Sequence, residues 1–126
     1  MICAGGTNFP DKPMLEGGAK TWTDRIFTLS PGENGWTEAG TLPAPYAYGA
    51  SASTREGLLC IGGCGKEGHR KDVYLLSTAD GAVTVTPFPP LPIALAYTAA
   101  AVLGGKVYLT GGCERPGEQD CTNRVF

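Results

Sequence analysis

Short apolar runs that each end in two glycines recur along the chain. The glycine pairs are Gly5-Gly6, Gly62-Gly63 and Gly111-Gly112, and a further apolar pair follows each of them after a variable segment. Leu42-Pro43 precedes the second glycine pair at the same offset at which Leu91-Pro92 precedes the third. The chain therefore contains an internal repeat of about 50 residues, and its second and third units align without a gap.

The second unit has the alternating pattern of four strands. The turn residues Arg55-Glu56-Gly57 and Asp80-Gly81 separate its apolar segments, and Asp-Gly is typical of a tight hairpin loop. The predicted strands cover residues 47–53, 58–61, 73–77 and 83–87. Four antiparallel strands in one repeat predict a blade of a β-propeller.

The first and third units contain only part of this pattern. The third repeats the inner hairpin as residues 97–103 and 106–110, around Gly104-Gly105. The first has predicted strands at 2–4, 25–30 and 35–40, without an innermost strand. We therefore expect an incomplete propeller, with a partial blade at 1–42, a complete blade at 43–91 and a partial blade at 92–126.

These features together resemble the kelch repeat. They are a strand that ends in Gly-Gly, an aromatic residue after a variable loop, and Trp36-Thr37 shortly before Leu42-Pro43. Val85-Thr86 replaces the Trp-Thr pair in the second unit, and Tyr46 and Leu95 stand where Arg is common in kelch repeats. The predicted fold class is all-β, a fragment of a kelch-type β-propeller with about two and a half four-stranded antiparallel blades.

A narrower resemblance covers most of the chain. It is carried by AGGTNFPDKP at 4–13, EGGAK at 16–20, AYG at 47–49 and LCIGG at 59–63. These segments resemble the N-acetylneuraminate epimerase (sialic acid mutarotase) family, in particular its cyclically permuted branch, of which we expect an N-terminal fragment. The resemblance implies a propeller of about six blades, whose opening blade the C-terminus of the whole protein completes.

The activity implied by this resemblance is an isomerisation in carbohydrate metabolism. The family interconverts the α and β anomers of N-acetylneuraminate by acid–base ring opening, so the implied ligand is a sugar acid and no cofactor is expected. The remaining blades are missing from this sequence. We therefore expect the fragment to be inactive by itself.

Composition and charge exclude several kinds of partner. The net charge is -2 and no run of Lys or Arg occurs, so neither nucleic acid nor a membrane surface is an expected partner. No stretch approaches the roughly 20 apolar residues of a membrane span, and no signal peptide is visible. Location stays open: the cytoplasm is favoured, and the periplasm remains an alternative if the N-terminus is truncated.

The five cysteines also favour a reducing compartment, because their number is odd and no secretory signal precedes them. Cys60 and Cys64 have a spacing seen in some zinc sites, but no second Cys/His pair is spaced to complete a tetrahedron. No metal is therefore expected. Cys113 and Cys121 flank one loop and would be able to form a disulfide in an exported protein.

The loops beyond the double glycines hold most of the charged residues. We expect segments 7–24, 64–71 and 113–123 at one mouth of the central channel, together with 43–47 and 92–96. A sugar carboxylate favours contact with Arg or Lys. The available cations in these loops are Lys12, Lys20, Arg70 and Arg115.

Mutarotation removes a proton from the anomeric hydroxyl while the ring oxygen gains one. The best acid–base candidates present are Glu114 and Arg70, with Glu67 and His69 in the same kind of loop. The predicted substrate contacts are Asn8, Tyr48, Arg70, Tyr97 and Arg115. Each has a structural alternative, since loop charges are often solvated and the two tyrosines would also fill the gap between blades. The family's acid–base pair is expected on a blade outside this sequence.

Two other functions remain open at this point. A kelch propeller can present its loop face to a protein partner without catalysis, although segments 8–13 and 16–20 favour the enzyme. A carbohydrate-oxidising propeller related to galactose oxidase needs a copper site of Tyr, His and Cys. The chain has one His, which disfavours such a copper site and therefore the oxidase.

Overall fold

The architecture is almost entirely β in a computed structural model that describes residues 1–116 and 121–126. A single 3-10 turn occupies Met14–Glu16. The strands are β1 (Ile2–Ala4), β2 (Thr7–Asn8), β3 (Thr21–Trp22), β4 (Arg25–Thr28), β5 (Thr37–Thr41), β6 (Ala50–Ser53), β7 (Leu58–Ile61), β8 (Cys64–Gly65), β9 (Gly68–His69), β10 (Val73–Ala79), β11 (Ala82–Phe88), β12 (Ala99–Leu103) and β13 (Lys106–Thr110).

Among the described residues, nine strands form three successive antiparallel sheets, and the other four form two short ladders. The first has the order β1-β4-β5, the second β11-β10-β7-β6, and the third consists of β12 and β13. Neighbouring sheets contact through β5 and β11 on one side and through β6 and β12 on the other. The sheets are therefore arranged side by side with equivalent strands adjacent, as blades of a propeller are, which agrees with the predicted fold class.

The inner hairpins of the second and third sheets have the same register. Ala50 lies opposite Ile61 in one, and Ala99 lies opposite Thr110 in the other, at the same offset in the repeat. The outer hairpin of the second sheet turns at Asp80 and Gly81, whose φ values of 52° and 82° suit a tight two-residue loop. Both of its strands are longer than predicted.

The innermost strands begin later than their predicted starts at residues 47 and 97, which are wrong. Tyr48 and Tyr97 precede these strands, and each has φ of 61°, a left-handed conformation that interrupts an extended strand. Ala47 and Ala96 form only isolated bridges, with Cys64 and Cys113. The tyrosines thus occupy a sharp bend at the entry to β6 and β12 and do not lie within a strand.

A short ladder follows each double glycine, which the sequence pattern did not predict. Thr7 pairs with Trp22 in the β2–β3 ladder, and Cys64 pairs with His69 in the β8–β9 ladder. In the third unit, Cys113 forms a single bridge with Cys121. These ladders hold the ends of the loops next to the entries of the innermost strands.

Two hydrophobic clusters fill the spaces between the sheets. Ile26, Tyr46 and Leu76 belong to the cluster between the first and second sheets, and Leu95 and Leu109 to the one between the second and third. Ile26, Leu76 and Leu95 are completely buried. Each such side chain contributes about 1.5–3 kcal/mol of hydrophobic stabilisation, so the faces between sheets are the main source of stability.

The double glycines join consecutive sheets through the main chain. The N–H of Gly6 donates to the carbonyl of Tyr46 at 2.9 Å, and the N–H of Gly63 donates to that of Leu95 at 2.7 Å. Gly62 has φ of 61°, and a Cβ there would overlap the Leu95 carbonyl. Glycine is therefore required by both conformation and space. Among the described residues, no helix has the length and apolar character to cross a membrane.

Candidate functional site

Tyr48 and Tyr97 form a pair at the entries of the two innermost strands. Their ring centroids lie 5.0 Å apart with the planes inclined by 33°, and the N–H of Tyr97 donates to the Tyr48 carbonyl at 2.8 Å. Tyr97 is 56% exposed. Because the repeat places both residues at equivalent positions with the same φ, it presents two aromatic rings side by side.

Lys20 and Thr7 extend this pair on the side of Tyr48. The ammonium of Lys20 lies 4.5 Å from the ring centroid of Tyr48 and 5.3 Å from that of Trp22, within the range of cation–π attraction. The hydroxyls of Thr7 and Tyr48 share a hydrogen bond of 3.1 Å. The β2–β3 ladder places Thr7 and Trp22 opposite each other, next to Lys20.

These neighbours perturb the Tyr48 phenol. A hydrogen-bonding interaction with Lys20, followed by the one with Thr7, lowers the pKa of Tyr48. The same interaction with Tyr48 raises the pKa of Lys20. Both effects have the sign expected when a cation stabilises a phenolate, and solvent moderates both because Lys20 is exposed and Tyr48 is only half-buried.

His69 extends the pair on the side of Tyr97. Its ring meets that of Tyr97 edge-on, with centroids 5.9 Å apart, and Nδ1 lies 2.9 Å from the carbonyl oxygen of Cys113. A carbonyl only accepts hydrogen bonds, so the neutral ring carries its proton on Nδ1. Nε2 then has a lone pair, and it is buried without a hydrogen-bond partner among the described residues.

Trp22, Tyr48, Tyr97 and His69, with Lys20 beside them, are called here the aromatic row. The rings are half-buried apart from the exposed Tyr97, and such a partly exposed aromatic surface next to a cation suits a ligand that combines an apolar face with an anionic group. Sugar acids have this combination. The described residues contain no group of three or more His, Cys, Asp or Glu side chains able to hold a metal ion.

Asn8 lies beside the aromatic row, on β2 next to Thr7. The side-chain oxygen of Asn8 accepts a hydrogen bond from the Thr21 hydroxyl on the facing strand. Asn8 is exposed. The structure thus places this predicted contact in the hairpin that carries Lys20, with its side chain engaged in holding that hairpin together.

Arg70 is engaged with groups between the first and second sheets. Its Nε donates to Asp72 Oδ2 at 2.7 Å, and its guanidinium lies 6.0 Å from the ring centroid of Tyr46. Burial alone would lower the pKa of Arg70, but the interactions with Asp72 outweigh it and raise the pKa. Arg70 also lines a pocket of about 540 Å³ together with His69 and Glu67.

Glu114 and Arg115 lie on the segment after the third double glycine. They line a pocket of about 310 Å³ with Thr122, Asn123 and Arg124. Glu114 is half-buried and Arg115 is exposed. The predicted loop 113–123 also includes residues 117–120, which lie outside the described residues.

The sequence pattern missed two members of the site, Thr7 and Trp22. Their placement depends on the loop between β2 and β3 folding back on itself. The available signal was the pair of β-branched and aromatic residues, Thr21-Trp22, a short distance beyond the Gly17-Gly18 turn. Lys20 was predicted only as one of several loop cations, and its position over Tyr48 came from the structure.

Comparison with known proteins supports the relation inferred from sequence. No protein-family model matches the chain. The chain is 34% identical over 95 residues to proteins named N-acetylneuraminate epimerase from Brucella suis and Brucella melitensis, and 34% identical over 96 residues to the protein of that name from Vibrio cholerae. Each match covers 68% of this chain and 24% of the relative, so the chain spans about a quarter of the length of these curated relatives.

A solved structure shows the same fold. The structure of YjhT superposes with a TM-score of 0.62 at 20% sequence identity, over 72% of this chain and 27% of that one. At this level of identity the likeness concerns the fold alone. The predicted resemblance to the N-acetylneuraminate epimerase family is thus confirmed over two thirds of the chain, which has the fold of a β-propeller segment.

Proposed function

We propose that this chain is part of a sialic acid mutarotase, which interconverts the α and β anomers of N-acetylneuraminate by acid–base ring opening. The sequence similarity to proteins named N-acetylneuraminate epimerase supports the substrate. The single observation that carries the proposal is the position of Lys20 beside the paired rings of Tyr48 and Tyr97.

The chemistry of the ligand fits this arrangement. N-acetylneuraminate carries its carboxylate on the anomeric carbon, and its pyranose ring has an apolar face. Lys20 provides the charge for the carboxylate, and the exposed ring of Tyr97 provides the surface for the sugar. A carboxylate held at Lys20 brings the anomeric carbon close to the Tyr48 hydroxyl.

The other predicted contacts have different places in this proposal. Arg70 is a weaker candidate for the carboxylate, because Asp72 already neutralises much of its charge. Glu114 and Arg115 remain candidates for proton transfer and for binding, since they lie just beyond the third double glycine, as Asn8 does beyond the first. Asn8 is a candidate hydrogen-bond partner at the edge of the aromatic row.

A protein-binding module is the second candidate function, and one observation favours it. Met14 and Leu15 occupy the 3-10 turn of the loop between β2 and β3, and Leu15 is 94% exposed. Two exposed apolar side chains at a loop tip are typical of a contact with a protein partner. In that case the aromatic row is part of a docking surface.

The decisive experiment measures anomer interconversion by NMR with the complete protein. We expect the protein to accelerate relaxation of N-acetylneuraminate anomers above the buffer rate. Lys20→Met should weaken binding of the sugar acid about tenfold, as expected for loss of an exposed charged contact. Lys12→Met is the matched control, because it removes an exposed lysine from the same loop.

Two results would contradict the proposal. Relaxation at the buffer rate in the presence of the complete protein would exclude the mutarotase. If the same protein then bound a protein partner, and Leu15→Ser abolished that binding, the protein-binding module would replace it. Equal loss of sugar binding in the Lys20 and Lys12 variants would move the carboxylate site away from the aromatic row.

A further inference from the structure

Tyr48 and Tyr97 occupy equivalent positions in the repeat, so their environments can be compared directly. The two environments differ. Thr7 follows the first double glycine as Cys64 follows the second, and each begins a short ladder. The hydroxyl of Tyr48 shares a hydrogen bond with that of Thr7 and the Lys20 ammonium lies over its ring, whereas the ring of His69 lies edge-on to that of Tyr97. Two tyrosines with the same backbone conformation thus have different chemical surroundings.

We infer that Tyr48 is a catalytic residue of the proposed mutarotase and donates the proton that the sugar ring oxygen gains when the ring opens. The inference rests on the proposed function and assigns a chemical step to one residue of that site. Its basis is the hydroxyl of Tyr48, which lies 3.1 Å from Thr7 Oγ1, together with the Lys20 ammonium, which lies 4.5 Å from the centroid of the Tyr48 ring.

The charged and titratable groups around Tyr48 favour this role. Lys20 stabilises the phenolate that remains after proton donation, and the Thr7 hydroxyl can then donate to it. Cys64 acts in the opposite direction, more weakly, and Tyr97 is a further titratable residue, with its ring beside that of Tyr48. The balance lowers the pKa of Tyr48, so its phenol is a better acid than an ordinary tyrosine.

The proton transfers balance over the reaction. The proton of Tyr48 moves to the ring oxygen as the bond between that oxygen and the anomeric carbon breaks. Water accepts the proton of the anomeric hydroxyl, whose oxygen becomes the ketone. The ring then closes on the other face of the ketone, the ring hydroxyl returns its proton to the Tyr48 phenolate, and the new anomeric oxygen regains one from water.

The position of Lys20 connects binding to this step. Because the carboxylate is attached to the anomeric carbon, a cation that holds it lies close to the bond that breaks. Lys20 already lies against the Tyr48 ring, so one ammonium group can contact the carboxylate and stabilise the phenolate. In the equivalent ladder beside Tyr97, His69 occupies the place of Trp22, and its Nδ1 is bound to the Cys113 carbonyl.

The test compares Tyr48→Phe with Tyr97→Phe in the complete protein, using the NMR assay of N-acetylneuraminate anomers. Tyr48→Phe keeps the ring and removes the proton, and we expect kcat to fall about 100-fold with a small change in KM. Tyr97→Phe removes an equivalent hydroxyl from the binding surface, so its effect is expected on KM more than on kcat. Unchanged thermal unfolding of both variants excludes misfolding as the cause.

A second readout does not depend on activity. Alkaline titration of phenolate absorbance, taken as the difference between wild type and Tyr48→Phe, gives the pKa of Tyr48. We expect this pKa below the ordinary phenol value and expect Lys20→Met to raise it. A normal pKa that Lys20→Met leaves unchanged would contradict the polarisation of Tyr48.

The outcomes separate the inference from the proposed function. An active wild-type protein whose kcat survives Tyr48→Phe overturns the role of Tyr48 and leaves the mutarotase in place. An inactive complete protein overturns both. Loss of kcat in Tyr48→Phe together with a raised Tyr48 pKa in Lys20→Met supports the whole step.

Discussion

The main-chain N–H of Tyr97 donates a hydrogen bond of 2.8 Å to the carbonyl of Tyr48, so two consecutive repeat units are joined at the point where their aromatic rings meet. The joint uses backbone atoms and does not depend on the phenol groups. Substitution of either tyrosine by phenylalanine therefore changes the chemistry of the aromatic row without removing this contact. The same geometry makes each tyrosine a control for the other.

Gly62→Ala should destabilise the protein far more than Gly81→Ala. Both glycines have positive φ, which costs an alanine about 1–2 kcal/mol. At Gly62 the new methyl group also overlaps the Leu95 carbonyl, whereas a methyl group at Gly81 would enter open space. We expect about 3 kcal/mol or more for Gly62→Ala, measured by urea denaturation. Equal losses would show that the second and third sheets are not in close contact there.

Leu76→Ala should lower the free energy of unfolding by about 2–5 kcal/mol, because this side chain is completely buried between the first two sheets. Leu103→Ala is the control. Leu103 is 72% exposed on β12, and its loss should change stability by no more than about 0.5 kcal/mol. Denaturant midpoints of the two variants test the packing of the sheets, and a small effect of Leu76→Ala would contradict it.

Tyr46→Phe should leave stability at neutral pH unchanged or slightly higher. The Tyr46 hydroxyl is buried without a hydrogen-bond partner among the described residues, apart from the weak interaction of its phenol with the Cys60 thiol. Removing such a group costs little, since its burial was unfavourable. The expected change is within about 1 kcal/mol.

The same substitution should reduce the loss of stability in alkali. Burial, the largest cause, raises the pKa of Tyr46 in the folded protein. The unfolded chain therefore releases this proton at lower pH, and the free energy of unfolding falls as pH rises above the ordinary value of 10.0. Urea midpoints on both sides of that pH, for wild type and Tyr46→Phe, should show the smaller decline in the variant. Identical declines would indicate that Tyr46 titrates normally.

The isolated chain should self-associate. In the part of the chain that the structure describes, β1 pairs only with β4, and β13 pairs with β12 and through a bridge from Thr110 to Val125. Strand edges of this kind template pairing with other chains. Light scattering over a range of concentrations should show growing mass, and Cys3→Lys, which places a charge on the edge strand β1, should reduce it. A monomer at all concentrations with a steep unfolding transition would contradict this expectation.

Much of the fold was predictable because the repeat is marked by residues with strict conformational demands. Glycine pairs identify the points where strands end, and the Leu-Pro pairs identify the segments that lead into the innermost strands. The true starts of the innermost strands, after the bends at Tyr48 and Tyr97, were not predictable, because tyrosine seldom adopts a positive φ and tertiary contacts impose it here.

The candidate site was predictable only in part. Tyr48 and Tyr97 emerged from their equivalent places in the repeat, but their partners come from a loop whose course depends on contacts remote in sequence. Thr7 and Tyr48 are an example, since a hydrogen bond joins them across most of the first unit. Likewise, nothing in the sequence indicates whether Arg70 is paired with Asp72, as the structure shows, or is an unpaired loop cation.

The main-chain hydrogen bonds from Gly6 to Tyr46 and from Gly63 to Leu95 affect how the sequence of such a protein can evolve. Tyr46 and Leu95 are both buried in equivalent places although one is aromatic and the other aliphatic. The rotation from one unit to the next is thus fixed by hydrogen bonds to main-chain carbonyl groups, which do not depend on the side chain. Side chains in the loops next to the innermost strands can therefore vary, and new binding properties can arise, without a change in how the sheets are joined.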